Sequence, residues 1–73
     1  MSQPIIILTP VKSSHIKAIG HSGTTMHVEY SDGGLYEHTG VPGHAHAELM
    51  AAQSKGKHLR TLAAKYGRGR KIS

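Results

Sequence analysis

Two histidines, His44 and His46, stand one residue apart in a segment that reads VPGHAHAELM. On a β-strand, residues i and i+2 share a face and could bind one metal ion. On a helix they point about 200° apart, and the Ala, Leu and Glu residues around them favour a helix. A structural zinc site needs four ligands, and a joint site here would need a further ligand from His38 or His58. We therefore expect no metal site, and we expect the seven histidines to act as surface and half-buried polar residues.

Other side chains that could do chemistry give no catalytic pattern. Ser13, Ser14 and His15 are adjacent, but adjacency in sequence does not create the geometry of a nucleophile and its base. The GRGRK segment is not a phosphate loop, because no strand precedes it. The absence of cysteine excludes disulfides, a thiolate nucleophile and cysteine-containing zinc sites, and it fits a reducing compartment. We expect a non-enzymatic protein that uses no cofactor.

The first half of the chain reads as β-strands. The segments PIIILTPV (4–11) and SSHIKAIGHS (13–22) are two candidates, the first bounded by prolines as an edge strand would be. TMHVEY (25–30) alternates apolar and polar residues, which is typical of a half-buried strand. SDGG then supplies a turn before LYEHT, so we predict a hairpin from Met26 to Thr39.

The second half reads as two helices. Pro42 suits the first helical position, and GHAHAELMAAQ (43–53) follows it. After a break at SKG, KHLRTLAAKY (57–66) has an apolar face and a basic face. The predicted fold is α+β: residues 1–66 form one domain with a small antiparallel β-sheet of three to four strands followed by two short C-terminal helices. Residues 67–73 are predicted to be a basic flexible tail. The candidate core residues are Ile19, Met26, Val28, Leu49, Leu59 and Leu62.

Positive charge is concentrated at the end of the chain. Residues 1–54 hold two basic and four acidic residues, whereas residues 55–73 hold seven basic residues and no acidic one. Such a segment often meets phosphate or an acidic protein surface. The alternative is a solvated helix face and tail. The candidate nucleic-acid-facing residues are Lys55, Lys57, Arg60, Lys65, Arg68, Arg70 and Lys71. No apolar run approaches the ~20 residues that span a bilayer, so no membrane partner is expected.

The order of several short motifs resembles the KTSC family. They are VKSSHIKAIGH (11–21), MHVEYSDGGLYEH (26–38), GVP (40–42), ELMAAQSKGKHL (48–59) and KYG (65–67). The resemblance implies a small β-sheet followed by helices, and a role in RNA binding. Family members usually carry Tyr-x-Tyr where this chain has Tyr36-Glu37-His38, and an aromatic residue where it has His21. Histidine in place of tyrosine weakens a base-stacking surface without abolishing it.

Over its whole length the chain also resembles a small transcription regulator of a lytic bacteriophage. That resemblance implies a non-enzymatic inhibitor and antiterminator, acting as a monomer in the host bacterial cytoplasm. It would bind the N-terminal segment of the β′ subunit of host RNA polymerase and nearby parts of the β subunit, beside nascent RNA. It would disfavour σ-factor binding at promoters and suppress termination. A free-standing RNA-binding module is the alternative function.

The candidate polymerase-binding residues come from the sheet half of the chain. They are Ser13, Ser14, Tyr36, His38 and Val41. Four of these five residues have a simpler interpretation as well. Tyr36 and Val41 could pack in the core, and the two serines could cap a local turn.

Overall fold

The computed structural model describes residues 7–73, and it confirms the α+β class. The elements are β1 (Thr9–Pro10), β2 (Ile16–Ser22), β3 (Thr25–Tyr30), β4 (Leu35–His38), α1 (Gly43–Ala51), α2 (Lys55–Tyr66) and β5 (Arg70–Lys71). All strand pairs are antiparallel, and the strands lie side by side in chain order. None of the helices described is long and apolar enough to cross a membrane.

Within residues 7–73 the sheet has five strands rather than the predicted three to four, because the C-terminal segment pairs with β4. Tyr36 lies opposite Lys71, and Glu37 lies opposite Arg70. The backbone of Leu35 donates a hydrogen bond to the carbonyl oxygen of Ser73 at 3.1 Å and accepts one from the N–H of Ile72 at 2.8 Å. The segment predicted to be a separate tail is therefore an edge of the sheet.

The β3–β4 hairpin is confirmed. Met26 and Val28 are fully buried on the face that the alternation predicted. In the turn, Gly33 has a φ of 98°, which a residue with a side chain rarely adopts. The backbone N–H of Gly34 donates to Asp32 Oδ1 at 2.9 Å, which closes the turn.

The first two predicted strands are shorter than their sequence segments. Residues 4–6 of the first lie outside the described residues, and only Thr9–Pro10 pairs with β2. The second begins at Ile16. Ser13 Oγ accepts backbone hydrogen bonds from His15 and Ile16, both at 3.4 Å, so this serine caps the turn before β2.

Both helices pack on one face of the sheet. Pro42 precedes α1 as its N-cap, one residue outside the predicted position, and α2 begins at Lys55 rather than residue 57. All six candidate core residues are buried. Val41 is also buried, at 1% exposure, as the simpler interpretation of this candidate residue expects, so its side chain lies in the core. The core cluster comprises Ile16, Ile19, Met26, Val28, Val41, Ala45, Leu49, Leu59 and Leu62.

Candidate nucleic-acid interface

A groove of about 970 Å³ lies between α2, the loop that precedes β2, and the helix-facing side of β3 and β4. This volume is at the upper end of the range for ligand pockets. Residues distant in sequence lie together here. Because β2 and β3 are antiparallel, the turn after β3 lies beside the loop at residues 12–15, which precedes β2. The N–H of Ser31 donates to the carbonyl of His15 at 2.8 Å, which ties the two loops together.

Two tyrosines line the sheet side of the groove. The Tyr30 and Tyr36 rings meet edge to face, with centroids 5.2 Å apart and an interplanar angle of 87°. Burial raises the pKa of Tyr30, and the neighbouring Tyr36 and Asp32 raise it further. The Tyr30 hydroxyl is therefore neutral at physiological pH. The two rings give the groove a partly apolar aromatic floor, which we call the tyrosine floor.

His38 also lines the groove, next to the C-terminal segment. It is only 7% exposed, and its Nε2 has no hydrogen-bond partner among residues 7–73. Burial lowers its pKa; a hydrogen bond with the Gly67 backbone partly opposes this, and nearby His27 lowers the pKa further. A Cβ on Gly69 would lie 2.5 Å from Nε2, so the glycine backbone packs directly against the imidazole. The lowered pKa favours the neutral imidazole, and the chain end packs against it at Gly69.

The rim of the groove is strongly cationic. Only one acidic residue, Asp32, lines the groove, and it already accepts the turn hydrogen bond from Gly34. The ion pairs in the described part of the chain both involve Glu37, outside this groove, so the rim charges are not neutralised by acidic side chains. The groove cations are Lys12, Lys55, Lys57, Arg60 and Arg68.

The lysine of this set that has a local role is Lys55. Its Nζ donates to the carbonyl oxygen of Ala52, the C-cap residue of α1, at 2.9 Å. A cation near a helix C-terminus is favourable, so Lys55 stabilises the junction between the two helices. Lys57 and Arg60 are exposed and have no such bond in the described structure.

The structure brings together most, but not all, of the candidate residues. Four of the seven cations line the groove, together with Ser13, Ser14, Tyr36 and His38. The other three cations lie elsewhere. Lys65 Nζ lies 5.4 Å from the centroid of the Tyr66 ring, Arg70 Nη2 donates to Glu37 Oε1 at 3.3 Å, and Lys71 is on the edge strand.

Among the cationic residues and tyrosines that line the groove, sequence reasoning missed Lys12 and Tyr30. Lys12 belongs to the weakly basic first half, so the charge count gave no reason to select it. Tyr30 continues the alternation of Met26 and Val28 at the end of β3, which predicts only that its side chain lies on the same side as theirs. Tyr30 is the last residue of the strand, directly before the turn. That position was the one indication in the sequence that its ring borders the groove.

The helical placement of His44 and His46 is confirmed. His46 stacks on His21, with ring centroids 4.8 Å apart and an interplanar angle of 11°. The Nε2 atom of His21 lies 2.7 Å from the carbonyl oxygen of Val41. Burial, together with the adjacent His21, lowers the pKa of His46. Within residues 7–73, no group of three potential ligands is placed to hold a metal ion.

A sequence profile of the KTSC domain matches residues 12–65. The chain belongs to the KTSC family. The crystal structure of a KTSC domain protein from Yersinia pestis is similar, with a TM-score of 0.84 and 31% sequence identity over 94% of this chain and 100% of that one. No curated protein matches the chain. The KTSC profile includes the groove residues of the loop, the tyrosine floor and α2, whereas Arg68 and Gly69 lie beyond it.

Proposed function

We propose that this KTSC protein is a non-enzymatic transcription regulator that binds host bacterial RNA polymerase and holds nascent single-stranded RNA in its basic groove. The observation that carries the RNA part is the combination of five cations on the groove rim with the tyrosine floor. The polymerase part extends the expectation drawn from the sequence alone, and its support is the exposed loop beside the groove.

The groove offers both kinds of contact that single-stranded RNA uses. Lysine and arginine side chains neutralise phosphates and release counterions, which makes binding favourable and salt-dependent. Tyrosine rings stack on bases without strict sequence preference. Bases are free to stack on protein rings only where they are not paired, so the floor favours a single strand over a duplex.

The predicted polymerase contacts adjoin the RNA contacts. Ser14 is exposed at the groove, and Tyr36 is half-buried in its floor. A protein surface at the RNA exit channel could then contact the loop at residues 12–15, while RNA binds along the cations of α2. By occupying that place, the protein would disfavour σ-factor binding at promoters and would suppress termination during elongation.

A free-standing RNA-binding module is the second candidate function. It is favoured by the same groove, because every groove contact with RNA is available without polymerase. The two candidates differ in one observable property. The regulator forms a stable complex with host RNA polymerase in moderate salt, and the free module does not.

The RNA part is tested by fluorescence anisotropy with a labelled single-stranded RNA over a series of salt concentrations. The double variant Lys57→Glu/Arg60→Glu should abolish binding at moderate salt, because it places two negative charges on the groove rim. Lys65→Glu is the matched control: the residue is on the same helix and exposed, but it does not line the groove. Equal losses in Lys65→Glu would show that RNA follows the helix surface rather than the groove.

The polymerase part is tested by passing host RNA polymerase over the immobilised protein in moderate salt. Retention of polymerase supports the regulator. Loss of retention in Ser14→Tyr, a bulky change at an exposed loop position, would locate the contact at the groove entrance. If polymerase is not retained while RNA still binds, the free RNA-binding module is the better account.

A further inference from the structure

The groove contains one acidic side chain among its cations. Asp32 is exposed in the β3–β4 turn, and it is the only carboxylate among the residues that line the groove. Both ion pairs within residues 7–73 involve Glu37, so Asp32 has no basic partner in the described structure. A free carboxylate here repels RNA phosphates, and it lowers RNA affinity unless it contacts another part of the ligand.

The turn itself does not require a carboxylate. The backbone N–H of Gly34 donates to Asp32 Oδ1 at 2.9 Å, and an asparagine oxygen would accept the same bond. That bond orients the carboxylate but uses only one of its roughly four acceptor positions. Both oxygens of Asp32 therefore keep acceptor positions for a ligand.

The carboxylate lies beside the tyrosine floor. A Cβ on Gly34 would lie 3.3 Å from Asp32 Oδ1 and 3.3 Å from Tyr36 Cε1, so the carboxylate and the edge of the ring flank the same point. Asp32 and Tyr36 each also raise the pKa of Tyr30, which places the Tyr30 hydroxyl near both groups. A base that stacks on this floor can direct one of its edges to Asp32.

Guanine is the base whose edge matches a carboxylate. Its N1–H and N2–H donors lie side by side on the Watson–Crick edge, which an unpaired base presents to protein. Two parallel hydrogen bonds to a carboxylate form a bidentate, charge-assisted contact. Adenine and cytosine each place an acceptor nitrogen next to the amino group, where it would face a carboxylate oxygen. Uracil offers a single N–H between two carbonyl oxygens.

We infer that Asp32 makes the groove select an unpaired guanine, which stacks on the tyrosine floor and donates its N1–H and N2–H to the Asp32 carboxylate. The cations of α2 bind the flanking phosphates without regard to sequence. This inference rests on the proposed RNA-binding function and adds a base preference to it.

The test measures base preference by fluorescence anisotropy. Labelled uridine-rich single strands carry guanosine, inosine or adenosine at one central position. The wild-type protein should bind the guanosine strand about tenfold more tightly than the adenosine strand, within the range for a bidentate contact to a base. Inosine keeps N1–H but lacks the N2 amino group, so the affinity of its strand should lie between the other two.

Asp32→Asn separates base recognition from simple charge. The variant keeps an acceptor for the Gly34 N–H but removes a negative charge from the groove. Charge alone would raise the affinity for every strand equally. Base recognition predicts that the affinity for the guanosine strand falls about fivefold or more, whereas the affinity for the adenosine strand does not fall. Glu48→Gln, at an exposed position on α1 outside the groove, is the matched control and should keep the guanosine preference.

A second measurement observes the carboxylate more directly. The Gly34 amide donates to Asp32 Oδ1, so its NMR signal responds to a ligand bound at the carboxylate. Guanosine 5′-monophosphate should shift this signal, whereas adenosine 5′-monophosphate should shift only signals around the tyrosine floor. Equal shifts of the Gly34 amide by both nucleotides would contradict the contact between guanine and Asp32.

The inference and the function beneath it fail in different ways. If the wild type binds all the strands with equal affinity and Asp32→Asn binds each of them more tightly, Asp32 selects no base and the basic groove stands. If the wild-type protein itself binds no RNA in low salt, both the inference and the RNA-binding function are wrong.

Discussion

The charged residues on the two faces of the sheet differ in whether they have ion-pair partners within the protein. On the helix-facing side, the groove cations are left without acidic partners in the described structure. On the other side, Glu37 accepts hydrogen bonds from His27 Nε2 and Arg70 Nη2, both at 3.3 Å. A count of charges along the chain cannot separate these two situations, because Arg68 and Arg70 belong to the same basic segment.

Strand register produces this difference. His27, Glu37 and Arg70 lie directly opposite one another on β3, β4 and β5, so their side chains share one face. Their neighbours Val28 and Tyr36 are paired in the same way and point to the helices. Register thus places Arg70 beside Glu37, whereas Arg68, which precedes β5, lines the groove.

The largest expected effect comes from displacing the chain at Gly69, which lies between the groove residue Arg68 and the edge-strand residue Arg70. Gly69→Ala should destabilise the fold by about 1–3 kcal/mol, because its Cβ would overlap the buried His38 ring and the core would have to shift. Urea unfolding measures the change, and Gly43→Ala, which meets nothing, is the control. The mechanism predicts that RNA affinity falls too, since Arg68 loses its place on the groove rim.

A stability unchanged by Gly69→Ala would mean that the C-terminal segment is not held against His38. In that case Arg68 would not be fixed at the groove, and Arg70 would not be fixed beside Glu37.

A pH effect of intermediate size is expected from two histidines, His38, which is buried on β4, and His46, which is half-buried on α1. Burial lowers the pKa of His38 and of His46 below the ordinary value of 6.5. Between that value and the lower folded-state pKa, the unfolded chain binds more protons than the folded one. Stability should therefore be constant above about pH 7 and should fall as the pH decreases below the unfolded-state pKa of about 6.5.

The urea midpoint at pH 7.5 and at pH 5.5 measures this dependence, in a range above the usual titration of carboxylates. His38→Gln should reduce the slope, that is, the change of the urea midpoint with pH, because the glutamine amide does not titrate. His44→Gln, at an exposed position on α1, is the control and should leave the slope unchanged. A slope that is the same in the wild type and in His38→Gln would show that His38 does not contribute.

The smallest effect is expected on the opposite face. Glu37→Gln removes the acceptor charge that Arg70 and His27 share, but the Arg70 side chain is 79% exposed. Solvent screening should limit the loss of stability to about 0–1 kcal/mol. RNA affinity, measured by anisotropy, should not decrease. A clear decrease would place RNA on this face and would contradict the contrast between the two faces.

The sequence predicted the parts of the fold that follow a local period. The alternation in TMHVEY gave the buried positions of Met26 and Val28, and helical spacing gave Leu59 and Leu62. The fifth strand was not predictable in this way, because two residues, Arg70 and Lys71, carry no alternation. Its hydrogen bonds to β4 depend on where α2 ends.

The groove depends on tertiary structure even more strongly. Its cations come from the loop at Lys12, from the first turns of α2 and from Arg68, and only the packed fold brings these segments together. The basic face of α2 predicted part of the set but also included Lys65, which lies outside the groove. Val41 shows the reverse problem, since a valine in a loop between two elements gives no periodic signal of burial.

The two ends of the sheet also affect how copies of this protein meet one another. β1 and β5 are each two residues long; the first contains Pro10, which has no N–H to offer, and the second consists of Arg70 and Lys71. Short strands, proline and like charges at exposed edges are features that oppose the joining of sheets from separate molecules. The same basic residues that complete the sheet therefore favour dispersed molecules at high concentration over aggregation through strand pairing.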